Sequence, residues 1–217
     1  MKALFLIIFI VSGSVHLYAS YKQDKRLRAY TKGFILLSLL GWYCCSVEKA
    51  SPLVVAALLT SWLGDVLLIP KGKKWFTLGG ISFMASHVCF VLIYKAHVSF
   101  AAVPAAVIVL AALCYAAAVW FVFRGLKEHL PKLLFYPMFL YLLINGTMNC
   151  FALFQLLSVP CFATAITFVG ALLFFASDSM LFYVRFKKDT RFKSHFPVML
   201  TYIFAEFLIV LGIIMLG

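Results

Sequence analysis

Charge is what this sequence has least of. Only 12% of its 217 residues are Asp, Glu, Lys or Arg, and just seven of those are acidic. A soluble domain carries about 25% charged and about 45–50% apolar residues. Here the apolar share is 65% and the mean hydropathy is +1.05, which excludes a soluble globular protein, a disordered chain and a fibrous repeat. Strand-like alternation, which a barrel with a wet lumen needs, is also missing. So is any C-x-x-C or Cys/His spacing suited to a metal. The six cysteines read as small apolar packing residues, and neither a metal nor a cofactor is called for.

What is present is a succession of long apolar runs. A bilayer core takes about 20 mostly apolar residues per helix. Breaks at charges, Pro and Gly predict helices over 3–20, 31–46, 52–69, 75–94, 99–123, 133–157, 161–184 and 196–216. Helices are required because a chain in hydrocarbon must satisfy its backbone N–H and C=O groups internally. The expected fold is an all-α membrane protein, an eight-transmembrane helix bundle occupying 1–217 as one domain. No residues remain for a soluble catalytic domain, so any chemistry lies within the membrane or at its edge. The first segment, MKALFLIIFIVSGSVHLYAS, also has the make-up of a secretory signal. Its apolar stretch is long enough to cross and a basic loop follows it, so it is counted as a span.

Basic residues set the orientation. Sixteen of the nineteen Lys and Arg fall in alternate loops: Lys22 to Lys32, Lys71 to Lys74, Arg124 to Lys132, and Arg185 to Lys193. The positive-inside rule puts these loops in the cytoplasm and both termini outside. The protein is then an integral multi-pass protein, of the inner membrane in a bacterium. A net charge of +12 is absorbed by topology and by membrane lipids or phosphate head groups; no nucleic-acid partner is needed. The oligomeric state is not legible.

The acids divide sharply. Asp24, Glu48, Glu128 and Asp189 fall in loops, whereas Asp65, Asp178 and Glu206 lie inside spans. An Asp at a helix centre costs about 2.5–3.5 kcal/mol on the insertion scale, so such residues are functional candidates facing the bundle or a wet cavity. A helix–helix hydrogen bond to Asn145, Ser177 or Tyr202 is the structural alternative. Asp65 precedes Lys71 by six residues and Asp178 precedes Arg185 by seven, which sets each about 9–10 Å inside its helix end. The strings SWLGDVLL and FASDSMLF resemble each other. Spans one to four (1–97) and five to eight (98–217) are therefore expected to be two parallel half-repeats, related by an axis along the membrane normal, with the two Asp facing each other.

Other residues supply a lining. Gly80, Phe83, His87, Phe90 and Tyr94 recur at spacings of three and four, one helical face that serves as a lipid slot or as ordinary packing. Tyr141, Asn145 and Asn149, and likewise Tyr202 and Glu206, recur at i, i+4. Gly64, Gly79, Gly80 and Gly170 permit close helix approach. His97, His129 and His195 are expected to be solvated in loops, and His87 is the histidine deep in a helix. A serine mechanism is weak, because Ser86 and His87 are adjacent and point about 100° apart.

SWLGDVLLIP, GGISFMASHVCFVLIY, FVGALLFFASDSMLFYVRF and TYIFAEFLIVLG, in that order, resemble the YhhN family of membrane proteins over nearly the whole chain. The order and spacing of G-D, S-H and S-D carries the resemblance. Two departures stand out. A Lys-Pro often opens the family's second span, whereas Lys32 is followed by Gly33, and Glu206 occupies the polar position of the last span. The family's characterised members are lysoplasmalogenases. The resemblance therefore implies hydrolysis of the vinyl ether bond of a lysophospholipid substrate to a long-chain aldehyde and glycerophospho-ethanolamine or -choline. The family positions carried over are Asp65, His87 and Asp178, with Gly64, Ser86 and Ser177 beside them.

Vinyl ethers hydrolyse by protonation at the carbon β to oxygen and capture of the oxocarbenium ion by water. Two carboxyls suit this, as in glycosidases. Asp65 and Asp178 are expected to be the acid/base pair and His87 to orient water or the glycerol hydroxyl. Lys32, Lys71, Lys74, Arg185 and Lys187 are expected to hold the phosphate. The rival reading is a proton-coupled carrier or a lipid-binding membrane module. Carriers commonly break their helices at midplane acids, and no Pro or paired Gly interrupts spans three and seven near theirs.

Overall fold

The computed structural model describes residues 1–187 and 195–217; Lys188, Asp189, Arg191 and Lys193 lie outside that set. Its helices are α1 (Lys2–Tyr21), α2 (Lys25–Cys44), α3 (Pro52–Leu67), α4 (Lys73–Lys95), α5 (Ala105–Leu126), α6 (Phe135–Ser158), α7 (Phe162–Phe186) and α8 (Phe196–Leu216), with two short 3-10 turns between α5 and α6. No strand occurs among the described residues.

Three boundaries depart from the apolar pattern, each for a local reason. Helix α2 begins six residues earlier than expected because Asp24 caps it, accepting hydrogen bonds from the backbone N–H of Arg26 at 2.9 Å and Leu27 at 3.1 Å. A carboxylate there satisfies otherwise orphaned donors. Lys25, Arg26, Arg28 and Lys32 are consequently helical rather than in a loop. Helix α5 starts only after Pro104, at Ala105 instead of 99. Helix α3 ends at Leu67; Pro70 follows, and the residue before a proline is steered away from helical geometry. Asp65 is thus two residues from the end of α3, while α7 runs eight residues past Asp178. The equal setback expected of the two acids is not found.

Six helices (α1, α4, α5, α6, α7 and α8) are long and apolar enough to cross a membrane. Helix α3 is apolar but only 16 residues long, and α2 carries four cations in its first two turns. The chain fits a multi-pass membrane protein. Large apolar side chains, including Leu4 and Ile7 on α1 and Leu110, Leu113 and Phe121 on α5, point outward, whereas the buried core gathers the polar side chains of Asp65, Ser86, His87, Asn145, Asp178 and Glu206. That is the inversion hydrocarbon demands.

Helices adjacent in sequence pair as α1–α2, α3–α4 and α7–α8, and α4 and α7 meet across α6. A ladder of stacked rings, Phe9–Phe207–Trp42 with centroids 5.7 and 5.6 Å apart, joins α1 and α2 to α8. Helices α7 and α8 pack closely at Gly170 and at Gly212, where a Cβ would stand 2.9 Å from the Ala205 carbonyl and 2.5 Å from the Ala163 carbonyl, respectively.

Candidate functional site

Asp65 and Asp178 both line one cavity at the end of the bundle that bears the basic connections. Its volume is about 100 Å³, room for several waters. Asp65 comes from the last turn of α3 and Asp178 from the middle of α7. Each is followed three residues later by a leucine, Leu68 and Leu181, and both leucines also line the cavity. The resemblance between SWLGDVLL and FASDSMLF is therefore expressed in matching walls.

Each aspartate is held by one helix of its own half of the chain and one of the other. Lys32 on α2 approaches Asp65 Oδ1 at 3.1 Å, and the Tyr202 hydroxyl on α8 donates to Asp65 Oδ2 at 2.9 Å. Opposite, the Tyr141 hydroxyl (2.6 Å) and the Asn145 amide (2.7 Å), both on α6, donate to Asp178 Oδ2. His87 Nε2 on α4 lies 3.3 Å from the same oxygen. No described residue hydrogen bonds to Asp178 Oδ1. The i, i+4 spacing on α6 extends the network. Asn149 donates to the Asn145 carbonyl at 3.0 Å and to its side-chain oxygen at 3.1 Å, which leaves the Asn145 NH₂ for Asp178.

Phe83 and Phe174 wedge between the two halves. Phe83 meets Tyr202 edge-on at 6.0 Å and Phe174 at 6.4 Å, and Phe174 meets His87 at 4.8 Å. Gly64 makes room for Phe83: a Cβ there would lie 2.6 Å from the ring. An aromatic wall of this kind keeps the dielectric low around the charged groups.

The mouth is cationic. Arg28, Lys32 and Arg185 line it, with His195 among them. Arg28 Nε is buried with no hydrogen-bond partner among the described residues. The Arg185 guanidinium sits 5.4 Å over the Phe76 ring. His195, expected in solvent, is half-buried; burial first, then the positive charges of Arg28, Lys32 and Arg185, hold its imidazole down at about 4. It is therefore neutral near pH 7. Among the described residues no group of three His, Cys, Asp or Glu side chains is placed to hold a metal, and the cysteines are free thiols.

A model of the YhhN family matches residues 27–213. The chain belongs to the YhhN family. No curated protein and no solved structure matches it. The match runs from within α2 to within α8 and takes in every cavity residue from Arg28 to Tyr202; α1 precedes it.

The other residues singled out in this YhhN chain divide in two. Lys32, Phe83, Ser177, Arg185 and Tyr202 line the cavity with the aspartates, and Tyr141, Asn145 and His87 reach it through Asp178. The Ser177 hydroxyl, however, donates to the Val198 carbonyl at 2.9 Å and ties α7 to α8. Ser86 bonds to Ser61 at 2.7 Å, an α3–α4 clasp. Tyr94 is buried farther along α4, stacked on Phe90 at 6.1 Å, so the aromatic stripe is cavity wall only at Phe83. Glu206 is fully buried, neither carboxyl oxygen has a hydrogen-bond partner among the described residues, and Ser61 is its neighbouring hydroxyl. Lys71 and Lys74 are exposed and are not part of the cavity wall, Lys187 lies over the Tyr183 ring at 5.9 Å, and Gly80 lines a neighbouring groove. Sequence reading missed Arg28 and His195 as site residues. Their only signal was membership of the basic connections.

Proposed function

We propose that this YhhN protein is a lysoplasmalogenase-type hydrolase of the vinyl ether bond, with Asp178 as the acid and Asp65 as the carboxylate partner. The observation that carries the reading is the shared cavity, in which two intramembrane aspartates meet below a rim of cations. Lys32 pairs with Asp65 at 3.1 Å, which makes Asp65 the carboxyl suited to face a developing cation. Asp178 Oδ2 is occupied by the Tyr141 hydroxyl and the Asn145 amide, with His87 Nε2 beside it, which leaves Oδ1 as the oxygen that delivers the proton to the substrate in this reading.

The steps then balance. Asp178 gives its proton to the alkene carbon β to the ether oxygen, and the oxocarbenium ion forms beside the Asp65 anion, which stabilises it. Water adds to the carbon bonded to oxygen and its proton passes to Asp65. The hemiacetal collapses: the C–O bond to glycerol breaks, Asp65 returns its proton to the glycerol oxygen, and Asp178 takes the hydroxyl proton as the aldehyde forms. Both carboxyls end as they began. Arg28 and Arg185 at the mouth suit the phosphate.

The same reading has all eight helices crossing the membrane, basic ends in the cytoplasm, both termini outside, and two parallel halves, 1–97 and 98–217. The reciprocal bonding supports the halves: α2 and α8 serve Asp65 as α6 and α4 serve Asp178. A carrier finds no comparable support, since α3 and α7 are unbroken helices through their acids. The test is aldehyde release by the purified protein in detergent from alkenyl, alkyl and acyl lysolipids. Release from the alkenyl lipid alone is expected, and its absence across the alkenyl head groups overturns the reading.

A further inference from the structure

A cavity of about 100 Å³ admits the reacting atoms and water, not a long hydrocarbon chain. A second, larger space lies beside it. Between the starts of α4 and α6, over the end of α7, runs a groove of about 500 Å³ lined by side chains such as Ile81, Met84, Leu140, Tyr141 and Phe182. It opens sideways, where Ile81 and Leu140 stay half exposed. Two observations tie it to the acids. Tyr141 lines the groove while its hydroxyl donates to Asp178 at 2.6 Å. A cleft of about 20 Å³ touches both spaces: Leu68, Phe83 and Leu181 are shared with the cavity, and Gly80, Tyr141 and Phe182 with the groove. Phe76 is the one residue in all three walls.

We propose that this groove holds the single hydrocarbon chain of the lipid substrate, admitted laterally from the bilayer, and that Phe76 is the gate between chain and acids. The proposal rests on the vinyl-ether reading and adds to it where the chain lies and what limits its length. The cleft is too narrow for a methylene chain while Phe76 keeps its present position. That ring is held by edge-on contacts to Phe182 at 6.1 Å and Phe186 at 5.3 Å and by the Arg185 guanidinium at 5.4 Å. Contacts of this type are individually weak, so ligand binding can reverse them. A phosphate that draws Arg185 to itself removes one of the three. With the head group at Arg28 and Arg185, the vinyl ether carbons fall beside Asp178 and the chain turns outward past Tyr141. Gly80 borders both the groove and the cleft, and a Cβ there meets nothing within 4 Å; a large side chain at 80 projects into free space where the slot begins and cuts down the room for a long chain.

The wild-type protein in detergent is photolabelled with a non-hydrolysable 1-O-alkyl lysophosphatidylethanolamine bearing a diazirine at the chain end. Labels concentrated on residues 76–84 and 134–141, and competed away by unlabelled lysolipid, are expected. Labels spread over the outer faces of α1 and α5, or unaffected by competitor, overturn the groove whether or not any variant folds. In parallel, Gly80→Trp and Ile81→Trp are assayed on alkenyl lysolipids of graded length, and the ratio of long-chain to short-chain kcat/KM should fall at least tenfold. An unchanged ratio in active variants overturns the groove but leaves the hydrolase reading standing. No aldehyde from any chain length with the wild-type protein overturns that reading instead, and labelling still reports on the groove.

Discussion

The Tyr202 hydroxyl donates to Asp65 across a sequence separation of 137 residues, from the last helix to the third. Its counterpart is the approach of His87 on α4 to Asp178 on α7. Neither aspartate can be set by one half of the chain alone. If Asp178 works as a protonated carboxyl, Asn at 178 reproduces its shape and its accepting oxygen but has no transferable proton. Asp178→Asn is expected to keep its melting temperature in detergent and to lose at least a hundredfold in aldehyde release, since general acid catalysis contributes about 10²–10⁴-fold. Near-full activity in that variant removes Asp178 from the chemistry.

Lys32 and Asp65 form a pair with side chains 15% and 3% exposed. Removing one partner of such a pair leaves an uncompensated charge, a loss of about 3–5 kcal/mol. Lys32→Met is therefore expected to lower the melting temperature markedly. Adding Asp65→Asn neutralises the orphan and should recover more than half of that loss, while activity stays absent in both. Thermal melts of the four proteins of this double-mutant cycle read the coupling directly.

Much of this was legible in the sequence because hydrocarbon makes polar residues conspicuous. Asp65, Asp178, Asn145, Tyr141 and Tyr202 stood out against apolar runs, and every one is in the network. Helix ends were less legible: a hydropathy pattern cannot anticipate that Asp24 caps α2 or that Pro70 cuts α3 short. Arg28 and His195 were hidden for a related reason. Basic residues near helix ends look alike to the positive-inside rule, and only the packing of α2 against the start of α8 distinguishes those that turn inward. Tyr94 misled in the opposite sense, since a residue on the right helical face can still lie too far along the axis.

Asn149 touches neither aspartate; it orients Asn145. Losing a hydrogen bond of about 1 kcal/mol corresponds to a five- to tenfold effect. Asn149→Ala is expected to reduce kcat by that factor with KM held. Asn149→Asp, the same shape without an N–H donor, should not rescue it. A changed KM with kcat intact would mean that Asn149 serves binding rather than alignment.

His195 supplies a pH signature of stability. Its imidazole is held at about 4, below the ordinary 6.5, by burial and by Arg28, Lys32 and Arg185. Between those two values the unfolded chain binds more protons than the folded one, so stability declines as pH falls through that window and levels off near its lower end. Above it His195 contributes no pH dependence. His195→Gln should lose less melting temperature between pH 7 and pH 4.5 than the wild type, and equal losses in the two proteins would contradict the burial of this ring.

The α7–α8 contact bears on the site because Ser177, next to Asp178, is tied to Val198 four residues before Tyr202. The two helices come together at Gly212, where a Cβ would press on the Thr167 hydroxyl and the Ala163 carbonyl. A backbone carbonyl cannot swing aside as a flexible side chain can, so a larger residue must push the helices apart. Overpacking of this kind costs about 1–3 kcal/mol, and here it also tilts Tyr202 relative to Asp65. Gly212→Ala is expected to lower the melting temperature modestly and Gly212→Leu strongly, with kcat falling in the same order although residue 212 lies well along α8 from the cavity. Gly33→Ala is the control: a Cβ at 33 meets nothing within 4 Å, and since Ala is the better helix former its melting temperature should equal or exceed the wild type's. If Gly212→Leu melts and turns over like the wild type, the close approach of α7 and α8 is not what sets the distance between Tyr202 and Asp65.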